Sequence, residues 1–196
     1  MLERLKTVML GLWYPAVLGA LIVLFFERWA EGGSAAARPS TWFGLFIILY
    51  YTILFEESVH THDYTLYAWV LDFFDLGVMY TAYAFLGYGF GGKYQNIKWF
   101  YGIMVYGFVE PMIWRSLEKK PDRFLDLLCF LAVIVMLLGF PTPEAYTWVA
   151  LIACWVLFIT YIVYVCLRVA RIRPAGGASP ALAGGRGDEP KAQRPE

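Results

Sequence analysis

The stretch TVMLGLWYPAVLGALIVLFF, residues 7–26, runs for twenty positions without one charged side chain. A helix that crosses a hydrocarbon core of about 30 Å needs roughly 20 mostly apolar residues, each rising about 1.5 Å. Arg4 and Lys6 precede the stretch, and Glu27 and Arg28 follow it. A cleaved leader would also be apolar, and Ala35, Ala36 and Ala37 offer small residues downstream. Its apolar region would be shorter, however, roughly 7–15 residues, with the cleavage site close behind. The expectation is a retained first membrane span.

Working outward, five further apolar blocks follow, separated by punctuation that suits helix ends. They run from Thr41 to about Glu57, Thr65 to about Gly89, Ile97 to Trp114, Phe124 to Phe140, and Tyr146 to about Leu167. Gly87, Gly89, Gly91 and Gly92 close the third, and Pro141-Thr142-Pro143 stops the fifth. Proline removes a backbone donor and turns its predecessor away from helix. Continuous apolar blocks of this length are helical, because barrel strands would be about 9–11 residues of alternating polarity. The fold expected is therefore all-α, a polytopic membrane bundle of six transmembrane helices over residues 1–173. Beyond Pro174 the chain turns Gly/Ala/Pro-rich and then charged, and residues 174–196 read as a disordered cytoplasmic tail.

Composition agrees with a lipid environment. Of 196 residues, 60% are hydrophobic and only 16% charged, whereas a soluble domain carries about 25% charged residues. Basic residues then set the orientation. With the N-terminus in the cytoplasm, nine fall on that side: Arg4, Lys6, Arg115, Lys119, Lys120, Arg123, Arg168, Arg171 and Arg173. Four fall on the other: Arg28, Arg38, Lys93 and Lys98. Both termini are expected in the cytoplasm, and a plasma or bacterial inner membrane is the simplest location. A net charge of zero, with no basic patch interleaved with aromatics, gives no reason to expect a nucleic-acid partner. The three cysteines all sit in apolar blocks and read as packing residues.

Ionisable groups within a bilayer are costly and usually face a bundle interior or a wet cavity. Glu56, Glu57, Asp72, Asp75 and Glu110 are therefore the candidate ion, proton or polar-core residues. The expected topology puts all five in the cytoplasmic half, with Asp126 at the rim. Asp72 and Asp75 are three apart and share a helix face with Met79 and Tyr83. Two carboxylates so close in low dielectric do not both ionise freely unless a cation intervenes. The plainer reading has them bonding a tyrosine or Arg115 on a neighbouring helix. Glu110 precedes Pro111, which frees the carbonyl of Gly107 and tends to kink the helix. Here an ion site and a structural kink with Glu110 paired to Arg115 stand about even.

Glu57 and His60 have the Glu-x-x-His spacing that places both groups on one helical face. Carboxylate-bridged di-metal bundles use it twice. With two histidines in the chain, His60 and His62, a second copy cannot exist. A single metal held by Glu57, His60 and one of Asp72, Asp75 or Glu110 is outweighed by a solvated loop between spans. The same scarcity excludes bis-histidine haem bundles. No Walker loop, Gly-x-Ser-x-Gly elbow or His-Glu-x-x-His is present, and the sequence leaves any cofactor unidentified. Leu71-Asp72-Phe73-Phe74-Asp75-Leu76 resembles, over those residues alone, the Phe-Phe-Asp-Leu signature of the low-temperature-requirement A membrane proteins. The surrounding span order differs, so no property of that family is carried over.

Three functions compete. A small proton- or cation-coupled transporter or channel subunit is favoured, because intramembrane carboxylates are functional by default. A structural or assembly subunit of a larger membrane complex comes second, with the acids paired to Arg115 and Arg123. A metal-dependent membrane enzyme acting on a lipid-like substrate comes third. Expected partners are the lipid bilayer and further copies or a larger complex.

Overall fold

The computed structural model describes residues 2–30, 37–59, 65–88, 95–117, 122–141 and 143–172. The predicted tail 174–196 lies outside the described residues, as does His60. The chain divides into Met1–Ile162 and Val163–Glu196. The described part of the second unit is helix, residues 163–172.

Among the described residues the protein is all-α, with six helices and no strand. Helix α1 is continuous through Leu2–Val8, a π-helical turn at Met9–Trp13, and Tyr14–Ala30. Then come α2 (Pro39–Val59), α3 (Leu66–Phe85), α4 (Ile97–Leu117), α5 (Arg123–Gly139) and α6 (Pro143–Ile172). Three segments are long and apolar enough to cross a membrane: Arg4–Ala30, Pro39–Glu56 and Ala145–Arg168. By length and composition this is a membrane protein. Helices α3 and α4 carry the acids, and α5 has 17 residues, short of the roughly 20 a span needs. The structure thus supports three candidate spans, where six were expected from sequence.

Local chemistry explains the boundaries. Thr65 caps α3, its hydroxyl accepting from Ala68 N–H at 3.1 Å. At the other end Gly87, with φ of +94°, takes the left-handed conformation. Gly87 N–H reaches Ala84 C=O at 3.0 Å and Tyr88 N–H reaches Tyr83 C=O at 3.3 Å. That pair of bonds is the Schellman closure, and it ends α3 before the predicted limit at Gly89. Asp122 caps α5 by accepting from Phe124 N–H and Leu125 N–H at 3.1 and 3.2 Å. Asp122→Ala should lower stability by about 1 kcal/mol. Thermal unfolding in detergent reads this, and an unchanged midpoint would show that the cap contributes nothing.

The π-helical turn has a cause in the sequence. Pro15 carries no N–H, and its ring crowds the carbonyl of Gly11. Tyr14 N–H instead bonds to Met9 C=O, five residues back, and the turn widens.

The exposed surface is apolar. Phe73 and Phe74 on α3 are 48% and 54% exposed, while Asp72, Asp75, Met79 and Tyr83 on its other face are buried. Leu127, Phe130 and Leu138 on α5 and Trp148, Ile152 and Val156 on α6 are exposed as well. Phenylalanine outside with aspartate inside reverses the soluble pattern, and suits a helix whose outer face meets lipid. The interior is aromatic. Tyr14 stacks on Phe55 at 5.0 Å, Phe43 meets Phe100 at 4.9 Å, and Phe46 meets Phe158 at 5.5 Å. Between apolar helices in lipid such packing, with close backbone approach, provides much of the cohesion. Gly107 marks one approach: a Cβ there would lie 2.9 Å from the Tyr51 hydroxyl.

Candidate functional site

Four helices bring a polar cluster together inside the bundle. Helix α3 contributes Asp72 and Asp75, and α4 contributes Glu110. These three carboxylates are only 3%, 5% and 5% exposed. Glu110 and Asp72 are the charged neighbours acting on Asp75. Helix α1 adds Tyr14, positioned directly after the π-helical turn, and α2 adds Tyr51. Asp75 and Glu110 act electrostatically on both tyrosines. The hydroxyls of Tyr14 and Tyr51 and Oδ1 of Asp75 are buried without a protein hydrogen-bond partner among the described residues. Polar atoms left in this state are rare, and each asks for an explanation such as a proton, a water or an ion.

The cluster has an edge toward the outside. Tyr106, one turn before Glu110 on α4, is 36% exposed, and Glu110 and Asp75 act on it. Tyr67, on α3 and 45% exposed, acts on Tyr106 in turn.

Arg115 does not form the predicted pair with the aspartates. Its Nε donates to Asp126 Oδ1 at 2.8 Å and its Nη2 to Cys129 Sγ at 3.3 Å. It still acts on Glu110 across space. The geometry follows from the short α4–α5 connection, which lays the last turn of α4 against the first turns of α5.

Pro111 behaves as its chemistry dictates. The carbonyl of Gly107, four residues earlier, has no intrahelical donor at position 111. The hydroxyl of Tyr50 on α2 donates to it at 2.9 Å. Tyr50 therefore hydrogen-bonds across the α2–α4 contact, to a carbonyl about one turn from Glu110 on α4.

Of the sequence candidates, the structure brings Asp72, Asp75 and Glu110 together. Glu56 is exposed near the end of α2. The side chain of Glu57 and all of His60, and with them the Glu57–His60 metal pairing, lie outside the described residues. Among the described residues no group of three His, Cys, Asp or Glu is arranged to hold a metal ion. Sequence reasoning missed Tyr14, Tyr50, Tyr51 and Tyr106, which read as ordinary aromatics of a membrane span. The available signals were Tyr14-Pro15 inside an apolar block and the pairing of Pro111 with Gly107 four residues before it. It also missed that Cys129 would meet Arg115.

A second feature lies beside the cluster. A small cavity of about 50 Å³ lies between α2, α4, α5 and α6, with Tyr50, Phe108, Pro111, Arg115, Cys129 and Leu157 among its walls. No protein-family model matches this chain, nor does any characterised protein or solved structure.

Proposed function

We propose that this chain is a small proton-coupled membrane transporter or channel subunit in which Asp72, Asp75 and Glu110 take up and release protons. The observation that carries the reading is Asp75: a buried carboxylate oxygen without a protein partner among the described residues, beside two more buried carboxylates. Three negative charges in a low-dielectric interior repel one another by several kcal/mol, so protons or a cation must accompany them. The proton is favoured over a metal because the carboxylates do not converge as a ligand set. Tyr14 and Tyr51 can donate to a carboxylate or accept from a carboxylic acid, and so serve either protonation state. Tyr106 supplies the outward step.

In this reading all six helices span the bilayer and both termini are cytoplasmic. The helices too polar to qualify by composition are those that carry the cluster, and their acids face inward. The active form contains several copies, since six short helices enclose little space alone.

Reconstituted vesicles with an entrapped pH dye, a potassium gradient and valinomycin test the reading. The wild-type protein should carry proton flux well above protein-free vesicles. Glu110→Gln should reduce it at least about tenfold, the effect of raising a barrier by 1.4 kcal/mol. Flux equal to protein-free vesicles, or an unaffected variant, would overturn the proposal.

A further inference from the structure

We propose that Tyr83 and Tyr88 form a second access route to the carboxylates, a pair of hydroxyls that relay protons at the far end of α3, with Met79 as an apolar gate between them and Asp75. The route rests on the proton-exchange reading of Asp75 and adds the half of the path that Tyr106 does not supply.

The placement begins with spacing. Asp75, Met79 and Tyr83 stand four residues apart, so they follow one another along one face of α3. Met79 and Tyr83 are 0% and 1% exposed, and that face stays inside the bundle to the last turn of the helix. Tyr88 joins them through the turn. Gly87, in its left-handed conformation, reverses the chain, and Tyr88 N–H bonds back to Tyr83 C=O. The two phenol rings then lie 4.3 Å apart between centroids. Gly44 on α2 leaves room for the second ring, since a Cβ there would lie 3.1 Å from the Tyr88 hydroxyl. The buried Thr41 hydroxyl on α2 and Arg28 in the last turn of α1 both act on Tyr88.

The hydroxyls of Tyr83 and Tyr88 are both buried without a hydrogen-bond partner among the described residues. Phenylalanine would fill the same space without leaving a polar atom unmatched, and the core uses it at Phe43, Phe46 and Phe100. Hydroxyls kept at that cost ask for a partner, and water is the one that serves a proton path. Tyr67, which acts on Tyr106, stands in the first turn of α3, and Tyr83 stands in the last. The carboxylates lie between these two ends.

Transfer leaves each phenol neutral. A carboxylic acid at Asp75 gives its proton to water. Water passes one to the Tyr83 oxygen as Tyr83 gives its own O–H proton to Tyr88, and Tyr88 does the same toward water beyond Thr41. Each O–H bond broken is matched by one formed. Asp75 and Tyr83 are eight residues apart, about 12 Å along the axis, so the water between them must pass Met79. A thioether has no proton to hand on, but its unbranched, flexible chain can swing aside.

The vesicle assay separates the route from the reading beneath it, with Glu110→Gln as the reference for the carboxylates. Tyr83→Phe and Tyr88→Phe should each lower proton flux at least about tenfold, with an unfolding midpoint that holds or rises. Tyr101→Phe removes another buried hydroxyl without a partner among the described residues, on α4, and should keep full flux. Met79→Ser, smaller and hydroxylated, should raise flux, and adding Tyr83→Phe should cancel the rise. Misfolding does not produce such a gain, so Met79→Ser decides the matter where a phenylalanine variant fails to fold.

Full flux in Tyr83→Phe or Tyr88→Phe, with Glu110→Gln depressed, would overturn the route and leave the carboxylate reading standing. An equal loss in Tyr101→Phe would assign the effect to hydroxyl removal in general and overturn it too. Flux in Met79→Ser at or below the wild-type level would have the same consequence. Wild-type vesicles without flux would overturn the route and the reading together.

Discussion

Asp75→Asn is expected to make the folded protein more stable while removing its proton flux. Oδ1 of Asp75 is buried with no protein partner among the described residues, and Asp72 and Glu110 act on the same group. Leaving a buried polar atom unmatched costs about 1–3 kcal/mol, and more when the group is charged. Asparagine keeps the shape, removes the repulsion, and offers an amide donor to the neighbouring carboxylates. For a chain of this length that gain corresponds to a rise of roughly 2–10 °C in the unfolding midpoint. An amide cannot exchange a proton in the same way, so flux in vesicles should fall together with the rise in stability. The opposed pair of changes is the signature of a site that is kept at a cost to the fold. If Asp75→Asn instead lowers the midpoint, Asp75 is part of a structural lock, and the assembly-subunit reading gains what transport loses.

The same residues show how far the sequence reaches. Six helices and their order are legible from apolar blocks and from the breaks at Gly87 and Pro141, because each break is a local backbone effect that needs no tertiary information. Whether each helix crosses a bilayer is less legible. An acid-bearing helix such as α3 reads as too polar until its partners show that Asp72 and Asp75 are turned inward and Phe73 and Phe74 outward. The spacing of Asp72 and Asp75 places them on one face, yet nothing in the sequence chooses between Arg115 and Glu110 as their neighbour. That choice is made by the short α4–α5 connection, which commits Arg115 to Asp126. The tyrosines were hidden for a different reason. Tyrosine is common in membrane helices as an interfacial anchor, so Tyr14 and Tyr51 stand out only once their hydroxyls are seen inside the bundle without partners among the described residues. Glu57 and His60 remain a sequence pattern.

The second large effect is expected at the junction of α2 and α4. Tyr50→Phe deletes the hydroxyl that donates to Gly107 C=O at 2.9 Å and changes almost nothing else in volume. Elsewhere on a membrane helix such a loss is modest, about 0.6 kcal/mol on average, because the unfolded chain in the bilayer also finds partners, and a carbonyl there keeps its intrahelical donor as well. Gly107 has no such donor, since residue 111 is proline, so the loss should lie nearer 1–2 kcal/mol. A double-mutant cycle separates this cause from ring packing. Pro111→Ala restores an N–H that can reach Gly107, so in that background Tyr50→Phe should cost little. The coupling should be about 1 kcal/mol or more by thermal unfolding. The contact cannot be bypassed by a larger residue at 107, because a Cβ there would already lie 2.9 Å from the Tyr51 hydroxyl. The same cycle bears on function. Glu110 adjoins Pro111, and the proline's local backbone sets where its carboxylate enters the cluster. Pro111→Ala should therefore depress proton flux even where it preserves or raises stability. Equal costs for Tyr50→Phe in both backgrounds would show that the bond to Gly107 does not hold the junction. Full flux in Pro111→Ala would show that the position of Glu110 does not depend on the proline.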